Sequence, residues 1–211
     1  MHIELTEMLR CPEPHQEDLM VLSTGEMVGR MVRFGLVGCS VCHKEYLITN
    51  GIVDFTGSGA LKDMEQGAGS RKAPATPAPG SRLPPPADLQ ALLELSGPGG
   101  FVVLVGDAAR HAPGLAALMA GVHFIGINAP ADLEELPMLS LLRVGTVIPL
   151  RQAIARGVVV GRNLATSPWL VEAHRILLRG RRFVVEHDRP ELPIGLEQLA
   201  AARGLWVGEK K

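Results

Sequence analysis

"VVLVGDAARHAPG", residues 102–114, decides how the chain is read. Val102, Val103, Leu104 and Val105 run into Gly106, as the first strand of an open α/β sheet runs into the loop that receives a ligand. Beyond that glycine, Asp107, Ala108, Ala109 and Arg110 stand where a phosphate-cradling loop would carry more glycine. The stretch poses two readings: a working nucleotide loop in unusual spelling, or the shell of one on a domain with another use.

Outward from it, residues 87–211 alternate helical and strand patterns. "ADLQALLEL", "APGLAALMA", "SPWLVEAHRILL" and "GLEQLAAARG" read as helices. "FVVLV", "HFIGINA", a stretch near "GTVIPL", "GVVVG" and "RRFVVEH" read as strands, with "GLWVGEKK" as a last one. Short apolar strands between helices predict an α/β fold with a Rossmann-like, mostly parallel sheet flanked by helices. In "PWLVEAHRILLRG", Pro168 sits near the first helical position, and Leu170, Ala173, Ile176 and Leu177 form the apolar face. Gly180 is the expected stop, and Glu172, His174 and Arg175 form the polar face.

Composition narrows the class. The 211 residues are 46% hydrophobic with a formal net charge of -1, enough for one core plus a small module. Lys and Arg number 21 against 22 Asp and Glu, so no overall basic field favours nucleic acid. Arg30, Arg33 and Lys44 are the residues an RNA contact would use, but they are scattered. "MHIELTEMLRCPEPH" lacks the order of a signal peptide and no run of about 18 apolar residues occurs, so a cytoplasmic protein without a membrane span is expected. Residues 58–86 are rich in Gly, Ala, Ser and Pro and read as a linker, flexible first and stiff at Pro84, Pro85 and Pro86. The flanking parts then need hold no fixed orientation.

Residues 1–57 form a small unit with few large apolar side chains, and such units usually need a staple. All three cysteines lie here: Cys11 with His15 in "CPEPHQ", and Cys39 with Cys42 in "CSVCHKEY". Two short turns offering two ligands each suit tetrahedral Zn²⁺, each turn supplying one edge. Pro14 cannot ligate, so His15 takes the fourth place, with His43 as its competitor. Four protein ligands leave no position for a reactive water, which makes the zinc structural. No GxSxG, Walker loop or second metal-ligating cluster supports a hydrolase or NTPase.

"MLRCPEPHQEDL" followed by "GCSVCHKEYLITNGIVDF" resembles the Trm112-like (UPF0434-type) zinc-ribbon family, with Tyr46, Ile48, Gly51, Ile52 and Val53 in the places of its aromatic and closing strand. The resemblance implies a β-rich ribbon that binds and stabilises class I methyltransferases or sits fused in front of one. "LVEAHRILLRGRRFVVE" in turn resembles the helix and fifth strand of class I S-adenosylmethionine-dependent methyltransferases, with Arg181 in place of a glycine. Domains over 1–57 and 87–211 follow.

In that second family the cofactor loop is typically [DE]xGxGxG. Here Leu104 takes the acidic position, Gly106 the first glycine, Ala108 the second and Arg110 the third, and Asn128 replaces the acid at the end of the second strand. Gly106, Asp107 and Asn128 are the residues that would contact S-adenosylmethionine if it binds; no catalytic residue stands out. His111 reads as a loop residue. About 125 residues is short for such a domain, and the stretch after "FVVEH" leaves room for one helix and one strand without a final hairpin. The expected function is a non-catalytic zinc-ribbon and pseudo-methyltransferase protein that binds a protein partner; the alternative is an active methyltransferase with a divergent loop.

Overall fold

The computed structural model describes residues 1–15, 19–57, 83–133 and 136–211. The first 57 residues give a 3₁₀ segment, Ile3–Met8, and four strands: β1 (Met20–Val28), β2 (Met31–Cys39), β3 (Glu45–Thr49) and β4 (Ile52–Asp54). Tight two-residue turns join β1 to β2 and β3 to β4, and a longer turn joins β2 to β3. Asn50 and Gly51 both take positive φ, 51° and 79°, between the paired Thr49 and Ile52, the geometry that matches strand twist.

The rest of the chain adds α1 (Pro86–Leu92), β5 (Phe101–Val105), a 3₁₀ turn (Gly106–His111), α2 (Ala112–Leu118), β6 (His123–Ile127), β7 (Leu139–Arg143) and β8 (Ala155–Val160). A second 3₁₀ turn (Arg162–Leu164), α3 (Ser167–Ile176), β9 (Leu177–Val185), β10 (Leu196–Ala202) and β11 (Leu205–Lys210) complete it. Strands β7, β6, β5, β8 and β9 lie side by side and parallel, so that the order reverses between β5 and β8, as in an open doubly wound sheet. The α/β class with a Rossmann-like parallel sheet and a β-rich N-terminal region is therefore as expected.

The two regions are not independent. Strand β4 pairs in parallel with β7, Ile52 opposite Leu141 and Val53 opposite Leu142, and makes one sheet in the order β1-β2-β3-β4-β7-β6-β5-β8-β9-β11-β10. Phe55 extends the seam by donating its N–H to the Arg143 carbonyl at 2.7 Å. The expectation that the linker frees the flanking parts from a fixed orientation is thus corrected. Of the linker itself, residues 58–82 lie outside the described residues, and its last residue, Pro86, opens α1.

Alternation along β5 shows how the sheet is covered. Val102 and Leu104 face Leu89 of α1, Leu93 that caps it and Leu115 of α2, whereas Val103 and Val105 join Leu170, Ala173 and Ile176 of α3 on the other side. No helix is assigned between β7 and β8. Leu5 and Leu9 of the N-terminal segment and Ile148 and Leu150 fill that face instead and continue into Tyr46, Ile48, Val53 and Phe55. Backbone bonds fasten the cover: Arg10 N–H to the Pro149 carbonyl at 3.1 Å and Arg151 N–H to the Met8 carbonyl at 2.9 Å.

Several elements differ from the sequence reading. "GLEQLAAARG" is not a helix but strand β10 and its turn, with Ala202 paired to Leu205 across Arg203 and Gly204, both at positive φ. The pairing of β11 with β9 and the tight turn outweigh the helix preference of three alanines. A final hairpin, β10–β11, is therefore present where the sequence reading expected none. The strand expected near "GTVIPL" is the preceding "LSLLR"; Pro149 interrupts the later stretch, whose Ile148 and Leu150 are plugs. Gly180 does not stop a helix either. The helix ends at Ile176, and Gly180, at φ 66°, belongs to an irregular stretch of β9 where the register against β8 slips.

Among the described residues no helix is long and apolar enough to cross a membrane.

Candidate metal centre and sheet crevice

Cys11, His15, Cys39 and Cys42 converge, their donor atoms all within 4.8 Å of one another. Cys39 and Cys42 flank the turn after β2, which the Cys39 carbonyl closes by accepting the His43 N–H at 3.0 Å. Cys11 Sγ lies 3.6 Å from Cys42 Sγ, and Cys39 Sγ lies 3.4 Å from His15 Nε2. A tetrahedron with metal–sulfur bonds of about 2.3 Å and metal–nitrogen bonds of about 2.0 Å has edges of roughly 3.5 to 3.8 Å, so the donor set fits a small four-coordinate ion. Its group includes His15, and not the expected competitor His43, whose backbone takes φ 56° in the turn.

The thiols differ in character. Burial pushes the Cys11 thiol up to about 11, while the Lys44 backbone N–H pulls that of Cys42 down to about 7. Tyr46 packs its ring on Phe55, centroids 4.7 Å apart, with its hydroxyl 3.7 Å from Cys11 Sγ. The cluster thus sits on the core that joins the N-terminal strands to the main sheet.

At the β5–β8 switch point, where ligands of open α/β sheets bind, the polar groups are turned on one another. Asn163, in the turn after β8, accepts the Asp107 N–H through Oδ1 at 3.0 Å, and a Cβ built on Gly106 would overlap its carboxamide. A Cβ on Gly161 would lie 2.8 Å from the Ala108 nitrogen, so the two turns touch. Asn128, at φ 47°, donates to the Val144 carbonyl at 3.0 Å and accepts the Val144 N–H at 2.8 Å, which uses both ends of its amide. Arg110 holds Asp132 through two bonds of 2.9 and 3.0 Å. The substitutions noted in the loop therefore have structural partners: Arg110 and Asn128 tie down the connections on either side of β7.

His111 is more buried than a loop residue should be. Burial pushes its pKa below the usual range, partly opposed by the carboxylate of Glu186, which is 1% exposed at the end of β9. Glu186 in turn accepts the Arg162 N–H at 3.3 Å.

The remaining candidates are mostly structural. Glu172 and Arg175 do not merely face solvent: Glu172 accepts the Ile148 N–H at 2.8 Å, and Arg175 donates to the carbonyls of Leu150 and Ile148 at 2.7 and 2.8 Å. Burial works against the Glu172 carboxylate, but the Arg175 guanidinium outweighs it and holds the carboxyl below its usual range. Of the three basic residues considered for RNA, Arg30 pairs with Glu4 and Lys44 with Glu13. The sequence reading missed a second cluster: His2, Glu4 and His123 meet where the N-terminal segment touches the sheet. Two of them are neighbours in sequence, but only the β6–β7 pairing brings the third alongside.

Among solved structures, the chain resembles the antibiotic-resistance methyltransferase Kmr, at 15% identity over 63% of this chain and 95% of that one, with a TM-score of 0.43. It also resembles a chain in a complex of the Haloferax volcanii Trm112 methyltransferase activator, at 19% identity over 47% of this chain and 50% of that one, TM-score 0.38. A third likeness is to geranyl diphosphate C-methyltransferase from Streptomyces coelicolor A3(2), at 15% identity over 47% and 41%, TM-score 0.38. The chain spans half or less of the length of the last two. No protein-family model and no curated protein matches it.

Proposed function

We propose that the chain is a non-catalytic binding protein, in which a zinc-stapled ribbon is built onto a methyltransferase-like sheet and the whole docks a protein partner. The observation that carries this reading is the Asn163 carboxamide against Gly106, bonded to the Asp107 N–H at 3.0 Å. A glycine at that turn serves to let a cofactor approach the backbone, and here a side chain of the protein takes the approach. Asn128, in the place of the ribose-binding acid, is committed to Val144. Zinc is favoured by the three sulfurs and one imidazole and by edges near those of a tetrahedron. Cytoplasmic thiols stay reduced, which suits such a site. For a partner, exposed Val21 and Phe34 on β1 and β2, with Leu19 before β1 and Val41 in the turn after β2, beside a shallow groove that Val21, Leu36 and Glu45 help to line, offer apolar area.

An active S-adenosylmethionine-dependent methyltransferase is the second reading. The β10–β11 hairpin, paired through β11 to β9 at the edge of the parallel strands, favours it. Gly106, Asp107 and Asn128 would then have to contact the cofactor. Calorimetric titration of the zinc-replete full chain with S-adenosylmethionine and S-adenosylhomocysteine separates the two. We expect no binding at about 1 mM ligand, which limits affinity to roughly 4 kcal/mol. Binding at about 100 μM or tighter, abolished by Asp107→Ala, would overturn the first reading and establish the second.

A further inference from the structure

We infer that His2, Glu4 and His123 form a second divalent-cation site, independent of the cysteine cluster. Backbone bonds fix each residue. The His2 N–H donates to the hydroxyl of buried Ser140 on β7 at 2.9 Å, and the Ile3 N–H donates to the Arg30 carbonyl at 2.9 Å. His2 caps the 3₁₀ segment, which places Glu4 in its first turn beside the imidazole. His123 opens β6, the neighbour of β7, and presents its ring to the same point from the sheet.

The donor geometry is that of three ligands around a common centre. Glu4 Oε2 lies 4.0 Å from His2 Nδ1 and 3.8 Å from His123 Nε2, with the two rings edge to face at 4.4 Å between centroids. These separations are too long for direct hydrogen bonds. All three donor atoms lie within 4.8 Å of one another. Bonds of about 2.0 to 2.1 Å in a tetrahedral set place donors about 3.4 Å apart, so the two measured sides need to close by roughly half an ångström to reach the bonds zinc makes to imidazole and carboxylate.

The two oxygens of Glu4 divide their work: Oε1 faces Arg30, while Oε2 faces both imidazoles. His2 Nδ1 accepts the Glu4 N–H over a long 3.4 Å, so it is the unprotonated nitrogen of its ring, the form that ligates. A cation would replace that weak bond. The Glu4 side chain is half-exposed, leaving a path from solvent and room for water in the remaining coordination positions. Two imidazoles and one carboxylate select a borderline ion such as Zn²⁺, Co²⁺ or Fe²⁺ over Mg²⁺ or Ca²⁺. Such an ion fastens the N-terminal segment to β6, across the seam that β4 and β7 close elsewhere.

Cobalt titration of the metal-free full chain tests this, because thiolate ligation gives a strong near-ultraviolet charge-transfer band and an imidazole–carboxylate site does not. The expected result is two equivalents of Co²⁺ bound, with the thiolate band complete after one of them. Glu4→Gln and His123→Gln should keep the thiolate band, which reports an intact fold, and weaken the other equivalent at least tenfold. The Co²⁺-dependent rise in melting temperature from that equivalent should vanish with it. Binding of a single equivalent by the unsubstituted chain, or a second equivalent unchanged in both variants, would overturn the assignment.

Discussion

The cysteine cluster and the β5–β8 crevice are both places where distant polar groups meet, and they differ in how those groups are satisfied. At the crevice Asn163 pairs with the Asp107 N–H, Asn128 with Val144, and the two terminal nitrogens of Arg110 with Asp132. At the cluster, three sulfurs and an imidazole gather as four electron-pair donors within 4.8 Å of one another, Cys11 with Cys42 at 3.6 Å and Cys39 with His15 at 3.4 Å. Converging donors call for a cation, whereas donors matched to acceptors leave a ligand little to gain, because it must break protein bonds before it makes its own. One fold thus carries a cluster of converging donors and a crevice whose named polar groups pair with one another.

The largest effect should come from emptying the cluster. Chelation of the metal, or Cys39→Ser, is expected to lower unfolding stability by about 3 kcal/mol or more, since structural metal binding is folding free energy. Hydrogen exchange should show protection lost first in β1–β3 and then, through Tyr46 and Phe55, along β7. An unchanged melting curve after complete metal removal would erase the contrast between the two sites.

Comparable in size is the seam. Val53 is fully buried opposite Leu142, so Val53→Asp places an unpaired charge in the shared core. We expect a loss of about 3 to 5 kcal/mol in urea unfolding. A loss below about 1 kcal/mol would mean that β4 contributes little to holding the N-terminal strands on the sheet.

The smallest effect sharpens the view of the crevice through pH. Burial lowers the pKa of His111 against the opposing carboxylate of Glu186, and burial with the Lys210 charge lowers that of His174. Both are neutral in the folded chain while the unfolded chain takes up protons at the ordinary histidine value. Stability from these groups is therefore complete above about pH 6.5 and declines as the pH falls below it. His111→Gln should flatten the fall in melting temperature between about pH 7.5 and 5 relative to the unsubstituted protein. An identical slope would show that His111 is as solvated folded as unfolded.

Much of this was legible from the chain alone. Cysteine spacing named the four candidate ligands, and the apolar runs of β5, β6, β8 and β9 named the parallel strands, because paired turns and fully buried strands are local patterns. The departures from a glycine-rich loop at Ala108, Arg110 and Asn128 were also visible. What they do was not. That Arg110 meets Asp132 and Asn163 meets Asp107 depends on which loops the sheet order makes neighbours.

The resemblance of residues 1–57 to a zinc-ribbon family implied a β-rich unit, and "SPWLVEAHRI" was recognisable as a helix with its buried face because a 3.6-residue period acts over a few residues. Tertiary structure alone decided that β4 joins β7, that the N-terminal segment covers a sheet face, that "LEQLAAA" is a strand, and that His2 and Glu4 stand beside His123. Each of these rests on pairing between segments far apart in the chain. The free energy of such pairing, summed over hydrogen bonds and buried area, exceeds the small local preferences a sequence displays.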